Sequence, residues 1–422
     1  MPPEIETTLD LLKELFTHSP LRNVSIRLWD DTPWPDAMPR AATLQLKHPG
    51  ALRAMLSNCT AKGLAEAYLR DDFDIVGDIE AAIEVAQALE SRPVNWRTSL
   101  ATYYRLHRLP AATTHLREKN PPAGRNGSAH TPARDRRAIA FHYDVSNDFF
   151  RLWLDRQMVY SCAYFERASD DLETAQNAKL SLICRKLRLR PGHRLLEIGC
   201  GWGGLAIHAA KHFDVSVTGV TLSERQAELA RERVEAAGLA EKVKIELRDY
   251  RELADSETFD AIVSVGMSEH VGRDNLSTYF KAAAARLKPG GVMLNHAIGE
   301  VTADRFKGPS FVDEYVFPDG DVPPVPVVLQ AAESAGLEVR DVENLREHYA
   351  LTLRHWVRRL EQSRERALTF VNETTFRVWR LYMAGSAHGF DHGNIAIYQA
   401  LFAKPDETGR ARLPLTRADW YA

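Results

Sequence analysis

A glycine-rich turn is the segment of this chain whose residue types point most directly to ligand binding. Residues 195–198 are mainly apolar and predict a strand, and the run Glu-Ile-Gly-Cys-Gly-Trp-Gly-Gly at residues 197–204 ends it. Residues 205–211 then predict a helix. Glycine permits a tight turn and lets backbone N–H groups approach a ligand closely. The complete strand, turn and helix favour a cofactor site over a simple glycine turn that enters a helix.

The position of the acidic residue separates two classes of cofactor. Gly199, Gly201 and Gly204 satisfy the G-x-G-x-x-G pattern of dinucleotide sites. Such sites place an acid at the end of the second strand to hold the ribose, and Thr221 stands there instead. The acid here is Glu197, which precedes the glycines. In this the segment resembles class I S-adenosylmethionine-dependent methyltransferases, which implies that the turn binds the methionine end and the nucleoside.

The segment after the second strand has two interpretations. Ser223 and Gln226 have the spacing of a capping box for a helix that runs to Gly238. Thr221 and Gln226 would equally suit contacts with a ribose and an adenine. Both interpretations can hold at once.

Five motifs in sequence order resemble those of cyclopropane-fatty-acyl-phospholipid synthases and mycolic acid cyclopropane synthases. The motifs are residues 141–147, 160–165, 197–205, 265–272 and 295–299. Residues 1–109 resemble, more loosely, the lipid-binding N-terminal domain of the bacterial phospholipid enzymes. Ordered motifs at compatible spacing are more specific than one glycine turn.

The resemblance implies a particular reaction. A methylene unit passes from S-adenosylmethionine to the cis double bond of an unsaturated phospholipid acyl chain, through a carbocation that a bound bicarbonate deprotonates. By motif, the bicarbonate is held by the side chains of Glu269, His296 and Tyr349 and by the backbone N–H groups of Cys162 and Ile298. Taken singly, Glu269 would also suit a helix cap, His296 a core histidine and Cys162 an apolar core position.

The resemblance also assigns further site residues by position. The cofactor contacts are Tyr160, Ser161, Glu197, Gly199, Gly201, Gly203, Thr221, Gln226 and Tyr250. Aromatic faces attract a carbocation by about 0.5–2 kcal/mol each. The candidates for that role are Phe149, Tyr164, Phe165 and Tyr315.

Two departures from the family leave the product open. Ser268 stands where an aromatic residue usually precedes the Glu-His pair, and Ser386 replaces a cysteine that many members carry. The first predicts a reshaped acyl pocket, and the second excludes a covalent thiol there. The alternatives are a methylene- or methyl-branched fatty acid synthase on the same scaffold and a non-catalytic lipid-binding protein.

A metal site is not predicted. His388, Asp391 and His392 resemble a metal-binding triad, but Gly389 and Gly393 should break the helix that would align the histidines.

Alternating strand and helix patterns position these residues. The predicted strands are residues 195–198, 215–220, 243–247, 261–265, 292–295, 337–342 and 395–402. They indicate an α/β fold with a Rossmann-like seven-stranded sheet, the class I S-adenosylmethionine-dependent methyltransferase fold. Insertions around residues 299–336 and 351–384 should form a lid over the carboxyl ends of the strands.

Domain boundaries follow from composition. Residues 1–108 predict a small α+β domain for lipid binding or positioning, with strands at 23–29 and 42–46 and helices at 64–68 and 79–89. Residues 109–138, rich in proline, glycine and arginine, predict a flexible basic linker. Residues 139–422 form the predicted catalytic domain.

Overall composition excludes several classes of protein. The 422 residues include 54 Lys+Arg and 57 Asp+Glu, a net charge of −3 that argues against a general nucleic-acid binder. No stretch is apolar enough to span a membrane, and the first twenty residues do not resemble a signal peptide. Four cysteines without C-x-x-C spacing predict neither a disulfide framework nor a zinc site. A cytoplasmic location is expected.

Membrane contact would be peripheral. Arginines in or beside residues 357–368, or the basic linker, could rest on anionic headgroups, and a solvated helix face is the alternative. The arginines near that helix are Arg354, Arg358, Arg359, Arg364 and Arg366. The family resemblance also implies a homodimer.

Overall fold

The computed structural model describes residues 2–16, 23–57, 60–90, 96–111, 134, 145–254, 256–301, 310–318 and 320–421. The chain divides into two compact units. The N-terminal unit comprises Met1–Pro121, Pro309–Val316 and Val371–His388, and the C-terminal unit comprises Pro122–Gly308, Phe317–Phe370 and Gly389–Ala422. Most of the predicted linker, and residues 141–144 of the first motif, lie outside the described residues.

The N-terminal unit is built on a four-stranded sheet in the order β2-β1-β3-β4, in which β1 and β3 are parallel. Its elements are α1 (Pro3–Phe16), β1 (Val24–Arg27), β2 (Pro33–Trp34), β3 (Ala42–Leu46), α2 (Ala51–Leu56), α3 (Ala61–Leu69), β4 (Phe73–Gly77), α4 (Ile79–Glu90), α5 (Trp96–Leu106), α11 (Phe311–Tyr315) and α15 (Glu373–Asp391) as far as His388. Alternate residues of β3 are buried, as the sequence pattern predicts.

Residues 309–316 and 371–388 group with this unit, whereas the sequence analysis placed them in insertions of the catalytic domain. The physical reason lies in α15. Arg377 donates to the carbonyl oxygens of Tyr68 and Phe73, at 2.7 and 3.3 Å, and Arg380 donates to that of Ile75 at 3.1 Å. These long-range hydrogen bonds attach α15 to the last turn of α3 and to β4.

The C-terminal unit contains a seven-stranded sheet in the order β10-β11-β9-β8-β5-β6-β7. Its elements are α6 (Asn147–Arg151), α7 (Leu172–Lys186), β5 (Arg194–Ile198), α8 (Gly204–Phe213), β6 (Ser216–Thr221), α9 (Glu224–Ala236), β7 (Val243–Leu247), β8 (Phe259–Val265), α10 (Leu276–Arg286), β9 (Leu287–Glu300), α12 (Val325–Ser334), β10 (Glu338–Asn344), α13 (Arg346–Gln362), α14 (Arg364–Ala367) and β11 (Ile395–Ala403). All seven predicted strands are present, and the α/β fold class is confirmed.

The central strands bury side chains on both faces of the sheet, as parallel strands covered by helices do. Leu195 of β5 belongs to one hydrophobic cluster, and its neighbours Leu196 and Ile198 belong to the cluster on the opposite face. Strands β5 to β9 are parallel, while β11 runs antiparallel to both β9 and β10. The parallel strands therefore bring their carboxyl ends to one edge, where the functional motifs follow.

Two expectations about helices were wrong in detail. Residues 351–384 are not one helical insertion but parts of α13, α14 and α15. The argument against a metal triad assumed a helix break at Gly389, yet α15 continues to Asp391. His388 is buried, and its Nε2 lies 2.9 Å from the side-chain oxygen of Gln87. Within the described ranges, no helix has both the length and the apolar character needed to cross a membrane.

Candidate active site

The glycine-rich turn between β5 and α8 has a backbone that glycine alone adopts easily. Gly199, Gly201 and Gly203 have φ angles of +80°, +52° and +77°. Gly204 begins α8, and a Cβ atom on it would lie 2.8 Å from the carbonyl oxygen of Gln157. Positive φ angles therefore favour glycine within the turn, and close packing favours it at the start of α8. The turn borders a cleft at the carboxyl edge of the sheet.

Eight of the nine predicted cofactor contacts line this cleft. They are Tyr160, Ser161, Glu197, Gly199, Gly201, Thr221, Gln226 and Tyr250. The assignment of Gly203 as a contact is not supported, because Gly203 is absent from the lining of the cleft. A Cβ atom there would lie 3.3 Å from the Cβ of Ala230, so Gly203 allows the turn to pack closely on α9.

The structure confirms the helix cap after β6, and the contact of Thr221 and Gln226 with a nucleoside stays a prediction. The Ser223 side chain accepts a hydrogen bond from the Gln226 backbone N–H at 3.3 Å and caps α9. The Thr221 hydroxyl donates to the Gln226 side-chain oxygen at 2.9 Å, and both residues line the cleft. The cap and the mutual hydrogen bond hold these two side chains in place before any ligand binds.

Helix α7 contributes residues that the sequence analysis missed. Lys179 is 1% exposed, lines the cleft and donates to the Ser161 hydroxyl at 2.9 Å. Gln176, one turn earlier, donates to the carbonyl oxygens of Ser161 at 2.8 Å and Val159 at 3.3 Å. Two polar residues three apart among the apolar positions of a helix are the signal that could have revealed them.

Two ionisable side chains that line the cleft, Glu197 and Lys179, are buried. Burial raises the pKa of Glu197 to about 8, although the nearby charge of Lys179 opposes that shift. Burial also lowers the pKa of Lys179 to about 8. Oε2 of Glu197 has no hydrogen-bond partner among the described residues. A buried carboxyl oxygen of this kind suits a donor or a cation supplied by a ligand.

Glu269 lies in a short 3₁₀ turn, Ser268–His270, that follows β8. Its Oε1 accepts the backbone N–H of Ile298 at 2.9 Å, while Oε2 has no partner among the residues that the structure describes. Burial raises the pKa of Glu269 to about 7. The Ile298 N–H, predicted to hold bicarbonate, donates to Glu269 in this structure and positions its carboxyl group. The Glu269 side chain does not cap the 3₁₀ turn, whose N-cap residue is Met267.

His296 lies on β9, two residues before Ile298, and is 1% exposed. Its Nδ1 faces the side-chain nitrogen of Gln399 at 3.3 Å, and its Nε2 has no partner in the described part of the chain. Burial, together with the charges of Lys179 and Lys186, holds the pKa of His296 well below its ordinary value. The imidazole is therefore neutral at physiological pH.

Contacts connect Cys162 and Tyr349 with the same neighbourhood. The Cys162 thiol is fully buried, its pKa is raised by that burial, and its sulfur lies 3.8 Å from the carbonyl oxygen of Leu345. Leu345 precedes α13 and donates its N–H to Ile397 of β11 at 2.8 Å. Tyr349, in the first turn of α13, packs on Phe390 with a ring separation of 4.7 Å. The Tyr349 N–H donates to the Leu345 carbonyl oxygen at 3.1 Å, and Ile397 pairs with Ile298, so a series of mainly backbone contacts connects the implied catalytic residues. None of the five is among the described residues that line the cofactor cleft.

The four aromatic candidates for the carbocation site lie outside the lining of the cofactor cleft, and their proposed role stays a prediction. Phe149 is a core residue whose ring lies 6.3 Å from that of Trp153. Tyr164 stacks on His348 with a ring separation of 4.7 Å. Tyr315 belongs to α11 in the N-terminal unit. Neither these three nor Phe165 is among the described residues that line the cleft.

Comparison with known proteins identifies the family. The family model "Mycolic acid cyclopropane synthetase" matches residues 130–400. The chain belongs to this family. It is 40% identical to the "Probable fatty acid methyltransferase" of Pseudomonas putida over 96% of this chain and 97% of that protein. It is 42% identical to the cyclopropane-fatty-acyl-phospholipid synthase of Escherichia coli (strain K12), over 64% of this chain and 68% of that protein.

Solved structures agree with this assignment. The mycolic acid cyclopropane synthase CmaA1, complexed with SAH and CTAB, has a TM-score of 0.60 and 35% identity, covering 63% of this chain and 97% of that one. The cyclopropane synthase MmaA2 from Mycobacterium tuberculosis has a TM-score of 0.61 and 33% identity, covering 65% and 99%. This member of the cyclopropane synthetase family is an S-adenosylmethionine-dependent methyltransferase with the class I fold.

Proposed function

We propose that this methyltransferase adds a methylene unit from S-adenosylmethionine to the cis double bond of unsaturated phospholipid acyl chains and closes a cyclopropane ring. The observation that carries the proposal is that Glu269 Oε2 and His296 Nε2 are both buried atoms without a hydrogen-bond partner among the described residues. Such atoms are costly to bury, so they indicate a bound group that would complete them. The name of the Escherichia coli relative supports the phospholipid substrate.

The cleft fits S-adenosylmethionine. When bound, this cofactor supplies a sulfonium methyl group as the electrophile. Glu197 Oε2, lacking a partner within the described ranges, suits a donor on the methionine end, and the Lys179 ammonium suits its carboxylate. Thr221 and Gln226, held by their mutual hydrogen bond, line the cleft at the end of β6, where a nucleoside would lie.

The residues around Glu269 also fit bicarbonate. When bound, bicarbonate supplies the base that takes a proton from the new methyl group. With its pKa raised to about 7, Glu269 is protonated in a substantial fraction of molecules near neutral pH and can then donate from Oε2. His296, being neutral, can present one ring N–H. Two buried donors suit an oxyanion, and exclusion of water protects the carbocation.

A branched product is the second candidate. Ser268, which departs from the family pattern, is buried, and its hydroxyl lies 3.5 Å from the side-chain nitrogen of Asn295. A small polar residue in this position would reshape the acyl pocket. The Pseudomonas putida relative and the Mycobacterium tuberculosis protein named "Tuberculostearic acid methyltransferase UfaA1", 33% identical over 92% of this chain, are both named as methyltransferases of fatty acids and not as cyclopropane synthases, which supports this second candidate.

Lipid mass spectrometry tests the reaction. We expect a bacterial host without cyclopropane fatty acids to gain one methylene unit on its unsaturated acyl chains when it expresses this protein. The Glu269→Met variant removes both the donor at Oε2 and the acceptor for the Ile298 N–H, and it should lose activity by roughly 10²- to 10⁴-fold. Glu338→Met, on the edge strand β10, is the matched control and should retain the gain.

Oxidative fragmentation of the modified chains then distinguishes a ring from a methylene branch. If folded protein that binds S-adenosylmethionine produces no mass gain, the proposed lipid reaction is wrong, and a different substrate or a lipid-binding role replaces it.

Peripheral membrane contact is part of the proposal. Exposure selects which of the five predicted arginines would make it. Arg354 pairs with Asp391 at 2.8 Å, and Arg359 pairs with Glu173 at 2.6 Å, so both are engaged within the protein. The exposed arginines of the same segment are Arg358, Arg364 and Arg366. These suit contact with anionic headgroups, at about 1 kcal/mol per residue near the surface.

Vesicle co-sedimentation tests this contact. Replacing Arg358, Arg364 and Arg366 together with glutamine should weaken binding to anionic vesicles by roughly 100-fold at low salt, the loss expected for about 1 kcal/mol per arginine. Binding that is unchanged by the substitutions, by salt or by anionic lipid content would exclude this surface.

A further inference from the structure

Three buried side chains form a hydrogen-bonded chain that ends at His296. Lys186 of α7 donates to the side-chain oxygen of Gln399 at 2.7 Å, and the side-chain nitrogen of Gln399 lies 3.3 Å from His296 Nδ1. Each of the three residues is 1% exposed. Lys186 and Gln399, which form the first of these hydrogen bonds, are 213 residues apart in sequence.

The sheet brings this chain together through strand register. Gln399 of β11 pairs with His296 of β9 on one side and with Glu343 of β10 on the other. Side chains directly opposite in neighbouring strands point to the same face, so the three lie side by side. Lys186 also donates to Glu343, which holds its ammonium group in place. Both of its contacts therefore belong to adjacent strands of one sheet.

Donor and acceptor rules then determine the proton on His296. A lysine ammonium only donates, so the Gln399 atom that faces it must be the carbonyl oxygen. The amide NH₂ group is consequently turned toward His296, and it too can only donate. Nδ1 of His296 must accept, and a neutral imidazole that accepts at Nδ1 carries its proton on Nε2.

We infer that Lys186 and Gln399 are positioning residues that hold His296 in the Nε2–H tautomer, so that the ring presents a hydrogen-bond donor to an anion in the active site. This N–H belongs to Nε2, the buried ring nitrogen of His296 that has no hydrogen-bond partner among the described residues. Identification of the anion as bicarbonate rests on the proposed function, whereas the tautomer does not depend on it.

Nuclear magnetic resonance of the full chain labelled with ¹⁵N in its histidine rings tests the inference directly. The His296→Gln variant identifies the signals of His296 by their loss. In the wild type we expect Nδ1 to have the chemical shift of an unprotonated ring nitrogen and Nε2 that of a protonated one. A protonated Nδ1 in the wild type would overturn the inference.

Gln399→Glu is the decisive variant. Its carboxylate still accepts from Lys186 but can only accept from His296, so the proton should move to Nδ1 and leave Nε2 bare. Turnover should then fall roughly 10- to 100-fold, the usual effect of removing a partner that orients a site residue. Retention of the wild-type ring signals in this variant would contradict the inference.

Two further variants complete the experiment. Lys186→Met leaves the Gln399 amide free to turn, so both tautomers of His296 should be seen, which provides an independent test if Gln399→Glu does not fold. Gln45→Glu is the matched control, because Gln45 also accepts from a lysine, Lys47 at 3.1 Å, but lies on β3 of the N-terminal unit. It should leave the His296 signals unchanged.

Added bicarbonate separates this inference from the proposed function. If the wild type shows the Nε2–H tautomer and bicarbonate shifts its Nε2 signal, both are supported. If the tautomer and its response to Gln399→Glu are as expected but bicarbonate has no effect, the positioning role stands and the bicarbonate assignment is wrong.

Discussion

The two units both bury charged side chains, but they differ in how completely those side chains are hydrogen-bonded. In the N-terminal unit, Arg377 donates to the Tyr68 carbonyl oxygen and to the Asp71 carboxylate, both at 2.7 Å. It also donates to the Glu373 carboxylate at 3.2 Å. Asp72, fully buried, accepts from His48 and from Arg70, at 3.1 and 3.0 Å. These groups hold helices and loops to the sheet.

In the C-terminal unit, several buried groups remain incompletely paired. Glu197, Glu269 and His296 each have one side-chain polar atom without a hydrogen-bond partner in the described part of the chain. All three lie at or near the carboxyl ends of β5, β8 and β9. The cost of such atoms is about 1–3 kcal/mol each.

This difference shows how the hydrogen bonding of buried side chains can distinguish structural residues from functional ones. A buried charge with all its partners stabilises the fold or at least specifies one arrangement of it. A buried polar atom without a partner destabilises the fold, and it persists where a ligand completes it. Substitutions should therefore reduce stability in the N-terminal unit and reduce activity in the C-terminal unit.

The largest change in stability is expected from Arg377→Met. The substitution keeps the apolar stem but removes a guanidinium whose side chain is 5% exposed and which donates to Tyr68 O and Asp71. We expect the free energy of unfolding to fall by about 3 kcal/mol, the upper end for charge-assisted hydrogen bonding. Urea denaturation measures it.

The control for that experiment is Arg27→Met, at the exposed end of β1, where the change should stay within about 0.5 kcal/mol. Equal effects of the two substitutions would remove the contrast between a buried, hydrogen-bonded arginine and an exposed one.

A pH-dependent effect is expected from Glu269→Gln. Folding raises the pKa of Glu269 from 4.5 to about 7, so the native state binds more protons than the unfolded state between these values. Wild-type stability is consequently lost as the pH rises through this window. The variant lacks this loss, so its stability relative to wild type should improve from about pH 4.5 to about pH 7. Denaturation at a series of pH values measures this.

Asp36→Asn in the N-terminal unit should show the opposite sign. A hydrogen bond from Arg40 lowers the pKa of Asp36, so this carboxylate stabilises the native state above its unfolded pKa and ceases to do so in acid. The variant should therefore lose stability relative to wild type as the pH rises from strongly acidic values. Parallel pH profiles for the two variants would refute the comparison.

The smallest effect is expected from an ordinary helix cap. Thr60 accepts the Gly63 backbone N–H at 3.0 Å and caps α3 of the N-terminal unit. Thr60→Ala should lower the free energy of unfolding by about 1 kcal/mol, and Thr60→Ser, which keeps the oxygen, should restore most of it. Thermal unfolding compares them. A loss in Thr60→Ser as large as that in Thr60→Ala would show that the cap is not the cause.

Much of the catalytic fold was predictable from local pattern. Strand β5, the turn at residues 197–204 and α8 follow from an apolar run, glycines and a helical period, which are properties of neighbouring residues. The cap at Ser223 was predictable for the same reason. Residues of α15 were assigned to the wrong unit because Arg377 finds its partners about 300 positions away, and no local pattern reports such a contact.

The amino-acid sequence by itself determined the order of strands and helices and the conformation of the glycine turn, since these depend on residue type and short spacing. Its motifs, through their resemblance to a known family, also supplied the candidate reactive groups. Only the tertiary structure decided the protonation and the orientation of those groups. Burial raises the pKa of Glu269, Ile298 positions its carboxyl group, and Lys186 and Gln399 orient His296. The physical reason is that desolvation and hydrogen-bond direction depend on every residue packed around a group, including those hundreds of positions away in the chain.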